Sequence, residues 1–382
     1  MNQPLVLIEP AAGNVENGHY QEKLELWIRA ARTAGYEPVV VGWEPPPSEL
    51  RVAWRAFDRR LVSLPLRFIP DRRRVMWIEF IVYAAGLRLA RQLSCPVIGL
   101  TACSPITVAA GALLQRQAVP GYGQILMYAG LHESGGLVTL REICRKALAA
   151  IQKKGGTLLP NAPSMVDLLR PAFSSGSRMQ YLPDPIEVPD VTESEISGKM
   201  HAASSLLVSG KDDHRRTPLG HFQRFGGLEH FERLWLQYPE KREAALADGT
   251  RWLPPSELRF EFVNHYVDRA SLIDLFRGSK FSAVIYAPSF FQGSGHLAFS
   301  VACGTPVLAS NFPYARDMFA KFGRLGERFD YQDKDGFLAA IDRLLAWGPL
   351  EYSEFIDARR SMIAEVNHEA VVKKALETLG YP

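Results

Sequence analysis

The 382-residue sequence predicts an α/β fold in two domains, each built on a parallel sheet. Three observations carry that prediction. Short apolar runs alternate with longer segments of helical periodicity along most of the chain. A polar stretch near 187–203, entered through Pro183 and Pro185, divides the series in two and reads as a linker. The stretch 285–318, IYAPSFFQGSGHLAFSVACGTPVLASNFPYARDM, spells strand, loop, helix, strand, loop, helix, with both loops at carboxyl ends of strands.

Leu5 to Glu9 is the first strand, followed by a loop containing Gly13 and Gly18. Leu24, Trp27, Ile28 and Ala31 then recur at helical spacing, Gly35 stops the helix, and Pro38 to Val41 is the next strand. The two glycines do not fit G-x-G-x-x-G, which argues against a dinucleotide cofactor. Further strands are expected at Val97 to Leu100, Gln124 to Tyr128 and Thr157 to Leu159. Helices near 75–93, 104–117 and 138–153 separate them, and Pro163 to Leu169 is a short helix. Tyr181 to Ile186 is a strand end broken by prolines. The second series opens with the strand Leu206 to Ser209 and the loop GKDDHRRTPLG, then Arg259 to Val263 as a strand and Ala270 to Arg277 as a helix. The 285–318 unit completes that sheet. Helices over Phe337 to Trp347 and Tyr352 to Leu379 close the chain.

A hydrophobic fraction of 47% with 22% charged residues is that of a soluble globular protein and excludes large-scale disorder. The net charge of +3 makes nucleic acid a poor partner. Cys95, Cys103, Cys144 and Cys303 form no C-x-x-C pair and have no histidine at ligand spacing, so they read as reduced thiols of a cytoplasmic protein, with no metal site. No export signal precedes Leu5, and Glu79, Arg88 and Arg91 interrupt the apolar segment 75–93, which is therefore not a membrane span.

Between Arg51 and Arg74 eight arginines stand against Asp58 and Asp71, interleaved with Trp54, Phe57, Leu61, Leu64, Leu66 and Phe68. The plain reading is a solvated helix face and a basic loop. The sharper one is a patch resting on anionic lipid headgroups or on a phosphate-bearing acceptor, the first of which places the protein peripherally on the inner face of the membrane.

Two features of the second half point to a phosphate-bearing ligand. Gly293, Ser294 and Gly295 open a helix whose first N–H groups can approach an anion. Lys211, His214, Arg215 and Arg216 follow a strand of the same domain, where cations can meet a diphosphate; solvated surface is the rival reading. In the first half, His132 lies just past a strand's carboxyl end, a position as consistent with structure as with catalysis.

Five segments, in order, resemble the retaining nucleotide-sugar glycosyltransferases of the GT-B architecture (group 1, family 4-like). They are GHY (18–20), YLPDPIE (181–187), LLVSGKDDHRR (206–216), LRFEFVNHYVDRASLIDLFRGSKFSAVIYAP (258–288) and SGHLAFSVACGTPVLASNFPYARD (294–317). The resemblance is specific over about 204–346 and one of pattern in the first half. It implies two facing Rossmann-like domains around a cleft, with an acceptor domain at 1–190, a donor domain at 204–350 and a C-terminal helix at 351–382 packing back on the first. It implies transfer of a sugar from a nucleoside-diphosphate donor such as a UDP- or GDP-sugar to a glycan, lipid-linked or small-molecule hydroxyl, with retention, without a metal and without a cofactor. Arg215, Arg216 and Lys211 then resemble the group holding the donor diphosphate, and Tyr266 and Val267 lie beside the nucleobase. The N–H groups of Gly295, His296 and Leu297, behind Ser294, meet phosphate or sugar. His132 resembles the histidine near the donor sugar, and Gly18 with His19 the loop over the diphosphate. The family's two glutamates fall here at or next to Gln292 and at Phe299. That departure keeps a rival open, a non-catalytic relative acting as a subunit or sugar-nucleotide sensor. An epimerase or phosphorylase on the same plan is a further alternative.

Overall fold

The structure, a computed structural model, describes residues 2–11, 18–43, 45–46, 48–55, 71–101, 104–115, 117–127, 138–173, 178–209, 218–237, 259–263 and 267–381. The chain divides into two compact units, one formed by Met1–Ile186 with Val366–Pro382 and the other by Glu187–Glu365.

The first unit contains β1 (Gln3–Ile8), α1 (Gly18–Thr33), β2 (Tyr36–Val41), β3 (Ala53–Arg55), α2 (Asp71–Leu93), β4 (Val97–Gly99), α3 (Pro105–Leu113), β5 (Tyr122–Leu126), α4 (Val138–Lys153), β6 (Gly156–Pro160) and α5 (Pro163–Leu169). All its strands are parallel, in the order β3-β2-β1-β4-β5-β6. Leu7 pairs with Val40 on one side and Ile98 on the other. A parallel strand covered on both faces needs no polar alternation, which is why β1 reads LVLI. Leu5 and Leu7 are buried with Trp27 and Ile28 of α1 and with Val371, Val372 and Leu376 from the end of the chain. The chain runs outward from β1 to β3 and returns on the other side at β4, so the topological switch lies between β1 and β4.

The second unit contains α6 (Glu193–Gly198), β7 (Ser205–Ser209), α7 (Pro218–Phe225), β8 (Arg233–Gln237), β9 (Arg259–Val263), α8 (Arg269–Gly278), β10 (Phe281–Val284), α9 (Gly295–Ala302), β11 (Val307–Ser310), α10 (Pro313–Phe322), β12 (Gly326–Phe329), α11 (Lys334–Leu345) and α12 (Pro349–Val366). Its sheet is also parallel, in the order β12-β11-β10-β7-β8-β9, with the switch between β7 and β10. At the end of α9, Gly304 has φ +71, and a Cβ there would stand 2.6 Å from Ile196 of α6. Only glycine serves both demands.

The structure differs from the sequence reading in three places. The helix expected over 352–379 is two, because Asn367 caps α13 (His368–Thr378) by accepting from the Ala370 N–H. Backbone bonds from Ile186 to Val366 and from His368 to Ile186 hold the break. The return to the first unit thus begins at Val366, and 351–365, expected with the C-terminal helix, belongs to the second unit. The stretch expected as a linker, 187–203, carries α6, opened by a Thr192–Glu195 capping box. Lys199 fastens it to the second unit by donating to the carbonyls of Phe276 and Ser279 and to Thr305 Oγ1, at 3.1, 2.8 and 2.7 Å. Strands β3, β8 and β12 are additional. Polar residues interrupt them, as in the edge strand β12, GERF, whose Glu327 and Arg328 are only half-buried.

Candidate functional site

In the second unit the connections after β7 and β10 flank the switch point, where open parallel sheets receive ligands. The β7 connection, with Lys211, Arg215 and Arg216, lies outside the described residues, as do His132 and Tyr266. The β10 connection is fixed from two sides. Ser310, at the end of β11, accepts from the Tyr286 N–H at 2.8 Å and donates to the Tyr286 carbonyl at 2.7 Å. Tyr286, Phe290 and Phe312 form a ring cluster with centroids 4.5 to 5.9 Å apart. Gln292 is half-buried beyond that cluster.

Ser294 caps α9. Its Oγ accepts from the Leu297 N–H at 3.1 Å. The Leu297 amide, expected to meet a ligand, is therefore engaged by the cap. Gly295 and His296 are first-turn residues, whose amides have no acceptor one turn earlier in the helix. A Cβ at Gly295 would meet nothing within 4 Å, so the backbone is open there. These amides and the positive helix end make a place for an anion.

The side chain of His296 points the other way. Its Nε2 lies 2.9 Å from Ser282 Oγ on β10, and Phe276 packs edge-on against the ring at 5.3 Å. Burial pulls its pKa down to about 4, so the ring is neutral at physiological pH. Phe299 is also turned inward. It is 7% exposed, stands edge-on to Phe276 with centroids 5.4 Å apart, and clusters with Leu207 and Cys303. The Arg269 guanidinium lies 4.7 Å from the Phe299 centroid while Arg269 Nε pairs with Glu187 Oε2 at 2.8 Å. At this position the chain offers packing and no ligand-facing polar atom. Val267, half-buried, precedes Asp268, which caps α8 by accepting from Ser271 at 2.7 Å.

In the first unit Gly18 and His19 form the first turn of α1, with the side chain of His19 outside the described residues. The switch point there holds residues that sequence reasoning did not single out. Glu9, just past β1, is fully buried. Its Oε2 accepts from Thr101 Oγ1 at 2.6 Å, just past β4, and its Oε1 accepts from the Ala11 N–H at 3.0 Å. Burial raises the Glu9 carboxyl from 4.5 to about 7, against the opposing pull of Thr101, Ala11 and Lys23. A polar chain continues inward, with Tyr83 donating to the Thr101 carbonyl at 2.6 Å, Gln124 Nε2 to Tyr83 at 3.0 Å, and Tyr122 to Gln124 Oε1 at 2.8 Å. Beside it, Lys23 is buried against Asp184 Oδ1 at 2.6 Å, and Asn161 Nδ2 donates to Asp184 Oδ2 at 2.7 Å. The one sequence signal was a carboxylate closing an apolar strand, directly before the turn at Pro10.

No family model and no curated protein sequence matches the chain. Its fold is nevertheless well represented among solved structures. Sucrose-phosphate synthase from Thermosynechococcus elongatus aligns over 98% of both chains with a TM-score of 0.69 and 16% identity. HepE of Anabaena in complex with UDP and glucose aligns over 100% of both chains, at 0.64 and 10%. A UDP-forming α,α-trehalose-phosphate synthase from Burkholderia xenovorans aligns over 100% of this chain and 99% of that one, at 0.62 and 13%. The chain therefore has the fold of the GT-B glycosyltransferases, with two parallel-sheet α/β domains. Among the described residues no helix is long and apolar enough to cross a membrane.

Proposed function

We propose that this protein is a glycosyltransferase, taking a sugar from a nucleoside-diphosphate donor held by the second unit and passing it to a hydroxyl of an acceptor held by the first, with retention at the sugar carbon. The observation that carries this reading is the open N-terminus of α9 at the second sheet's switch point, in a fold shared with a structure in complex with UDP and glucose. As the C1–O bond of the donor lengthens, negative charge grows on the leaving diphosphate. Fixed N–H dipoles at Gly295 and His296, with Arg215, Arg216 and Lys211 as cations, stabilise that charge without a metal or a further cofactor. His132 is assigned to the donor sugar, Gly18 and His19 to the diphosphate, and Tyr266 and Val267 to the base.

The acceptor is a glycan, a small molecule or a lipid-linked sugar. A lipid-facing surface is supported by α2, which begins within the arginine run of 51–74 and exposes Met76 and Trp77 by 41% and 47%. A second reading, a binding protein without turnover, is favoured by Phe299, which puts a buried ring where the resemblance expects an acid.

Thermal-shift measurements against UDP-, GDP-, ADP- and TDP-sugars test the donor site, since a ligand of the native state raises the melting temperature. At least one should stabilise the protein, and Arg215→Ala with Arg216→Ala should abolish the shift while leaving the fold intact. No shift from any nucleotide sugar overturns the reading. A shift without release of nucleoside diphosphate in the presence of any acceptor leaves the non-catalytic one.

A further inference from the structure

At the amino ends of β5 and β6, the end of the first sheet opposite its ligand-receiving carboxyl ends, the first unit borders a cleft of about 490 Å³. Gly121 and Gly155, just before the two strands, form one side of it. Residues 178–180 form the second. They run beside β6, where the Leu158 N–H donates to the Arg178 carbonyl at 2.9 Å and the Gln180 N–H to the Leu158 carbonyl at 3.0 Å. The end of α13 is the third side. Gly380, at φ +84, turns the chain there so that the Tyr381 N–H reaches back to the Leu376 carbonyl at 2.9 Å. Missing side chains on β5 seat this end: a Cβ at Gly121 would stand 2.4 Å from the Tyr381 ring, and one at Gly123 would stand 3.2 Å from Leu379.

Thr157 of β6 lines the cleft and is 5% exposed, yet its hydroxyl has no hydrogen-bond partner among the described residues. A buried hydroxyl without a partner is destabilising, and a ligand that supplies one removes that cost. At the rim, the exposed side chains of Arg178 and Gln180 are also unpartnered among the described residues. The carbonyls of Thr378 and Leu379, at the end of α13, receive no backbone N–H there. This set selects among ligands. No carboxylate lines the cleft, so a hard metal cation finds no charged oxygen. The negative end of α13 opposes a doubly charged phosphate, against which Arg178 stands as a single cation. An apolar ligand leaves Thr157 without a partner. Hydroxyls meet every demand, since each donates to a carbonyl and accepts from Thr157, Gln180 or Arg178.

We propose that this cleft is a second saccharide site, which holds a sugar unit through Thr157, Arg178 and Gln180 away from the transfer chemistry. The five residues of β6 span roughly 15 Å, so a sugar bound here does not touch the carboxyl ends of the strands. An extended glycan acceptor is thereby held at a point remote from its reacting hydroxyl. That use rests on the transferase reading, whereas the binding rests on the cleft alone.

Maltotriose, cellotriose and chitotriose are the probes, each added at millimolar concentration to the full chain, with hydrogen exchange read in peptides. At least one should slow exchange in peptides covering 178–181 and 376–381 and leave β1 to β3 unchanged. Thr157→Val keeps the branched shape and removes the hydroxyl, so saccharide affinity should fall about tenfold, and Arg178→Ala should act likewise. Both variants should keep the wild-type thermal shift with nucleotide sugars. Protection by none of the three saccharides, or equal affinity in wild type and both variants, overturns the proposal. Inorganic phosphate protecting these peptides more than any saccharide overturns the ligand class. Saccharide binding that is lost in Thr157→Val, in a protein that no nucleotide sugar stabilises, supports the cleft and overturns the transferase reading instead.

Discussion

Glu9→Gln removes a charge from the interior at nearly constant volume, and the sign of its effect on stability follows from proton linkage. The folded protein keeps the Glu9 proton up to about pH 7, whereas an unperturbed carboxyl loses it near 4.5. Between these values folding is coupled to proton uptake. The stability contributed by the bound proton is complete below about pH 4.5, falls as pH rises, and is gone above about 7. At roughly 1.4 kcal/mol per pH unit, the gap is worth about 3 kcal/mol. Glutamine carries no such proton, so the variant should gain about 3 kcal/mol on wild type between pH 4.5 and 7.5, and nothing further above that. Its amide meets either Ala11 or Thr101 with a donor in place of an acceptor, which costs about 1–3 kcal/mol at every pH. That penalty shifts the difference curve without tilting it. Urea unfolding of both proteins at half-unit pH steps, with hydrogen exchange in peptides of β1 to β6 reporting the first unit, measures the tilt. A stability difference independent of pH would refute the reasoning, because Glu9 would then not be the group that titrates.

Three further outcomes follow from the same contacts. Ser294→Ala removes the cap that holds Leu297, and should lower stability by about 1 kcal/mol and weaken nucleotide-sugar binding severalfold, as read by thermal shift and titration calorimetry. Lys23→Met removes the ammonium paired with Asp184 and sets an apolar side chain in its place, and should cost about 3 kcal/mol, while adding Asp184→Leu should restore most of it; a double-mutant cycle in urea checks this. Vesicles containing phosphatidylglycerol should retain the protein at low salt, and Trp77→Ser combined with Arg72, Arg73 and Arg74→Gln should release it. Failure of the wild type to float with such vesicles removes the lipid-facing surface from the proposal.

The second unit was far more legible in the sequence than the first unit's switch point, and the reason is contact distance along the chain. The β10–α9–β11 unit is read from neighbours: Pro288 ends an apolar run, Ser294 caps three residues before Leu297, and Gly304 takes the left-handed turn. Glu9 meets Thr101 across 92 residues and Lys23 meets Asp184 across 161, so no local pattern joins them. The break at Asn367 was missed although its cap is local, because the apolar spacing of α12 and α13 carries on through it, and the bonds that force the break come from distant Ile186. The inward turn of His296 was illegible for a related reason. Helix spacing gives its face, but only the approach of Ser282 shows that the ring is occupied.

Phe299 decides how far the resemblance in the second unit extends to ribose recognition. The ring is 7% exposed, edge-on to Phe276 and beneath the Arg269 guanidinium, which Glu187 holds from the other side. A base or ribose could reach its face only by displacing Arg269 and breaking the pair with Glu187. Phe299→Leu keeps most of the apolar volume and removes two specific contacts, an aromatic pair worth about 1 kcal/mol and a cation–π contact worth about 0.5–1 kcal/mol. Stability should therefore fall by about 1–2 kcal/mol, while affinity for whichever nucleotide sugar binds stays within about twofold of wild type. The opposite pattern, unchanged melting and a loss of affinity beyond about tenfold, or ~1.4 kcal/mol, would make the ring a ligand contact and would require Arg269 to swing away on binding. Nucleotide selection would then belong to Phe299 and Arg269 together, and an acid at this position would be dispensable because a cation and an aromatic face had taken over its task.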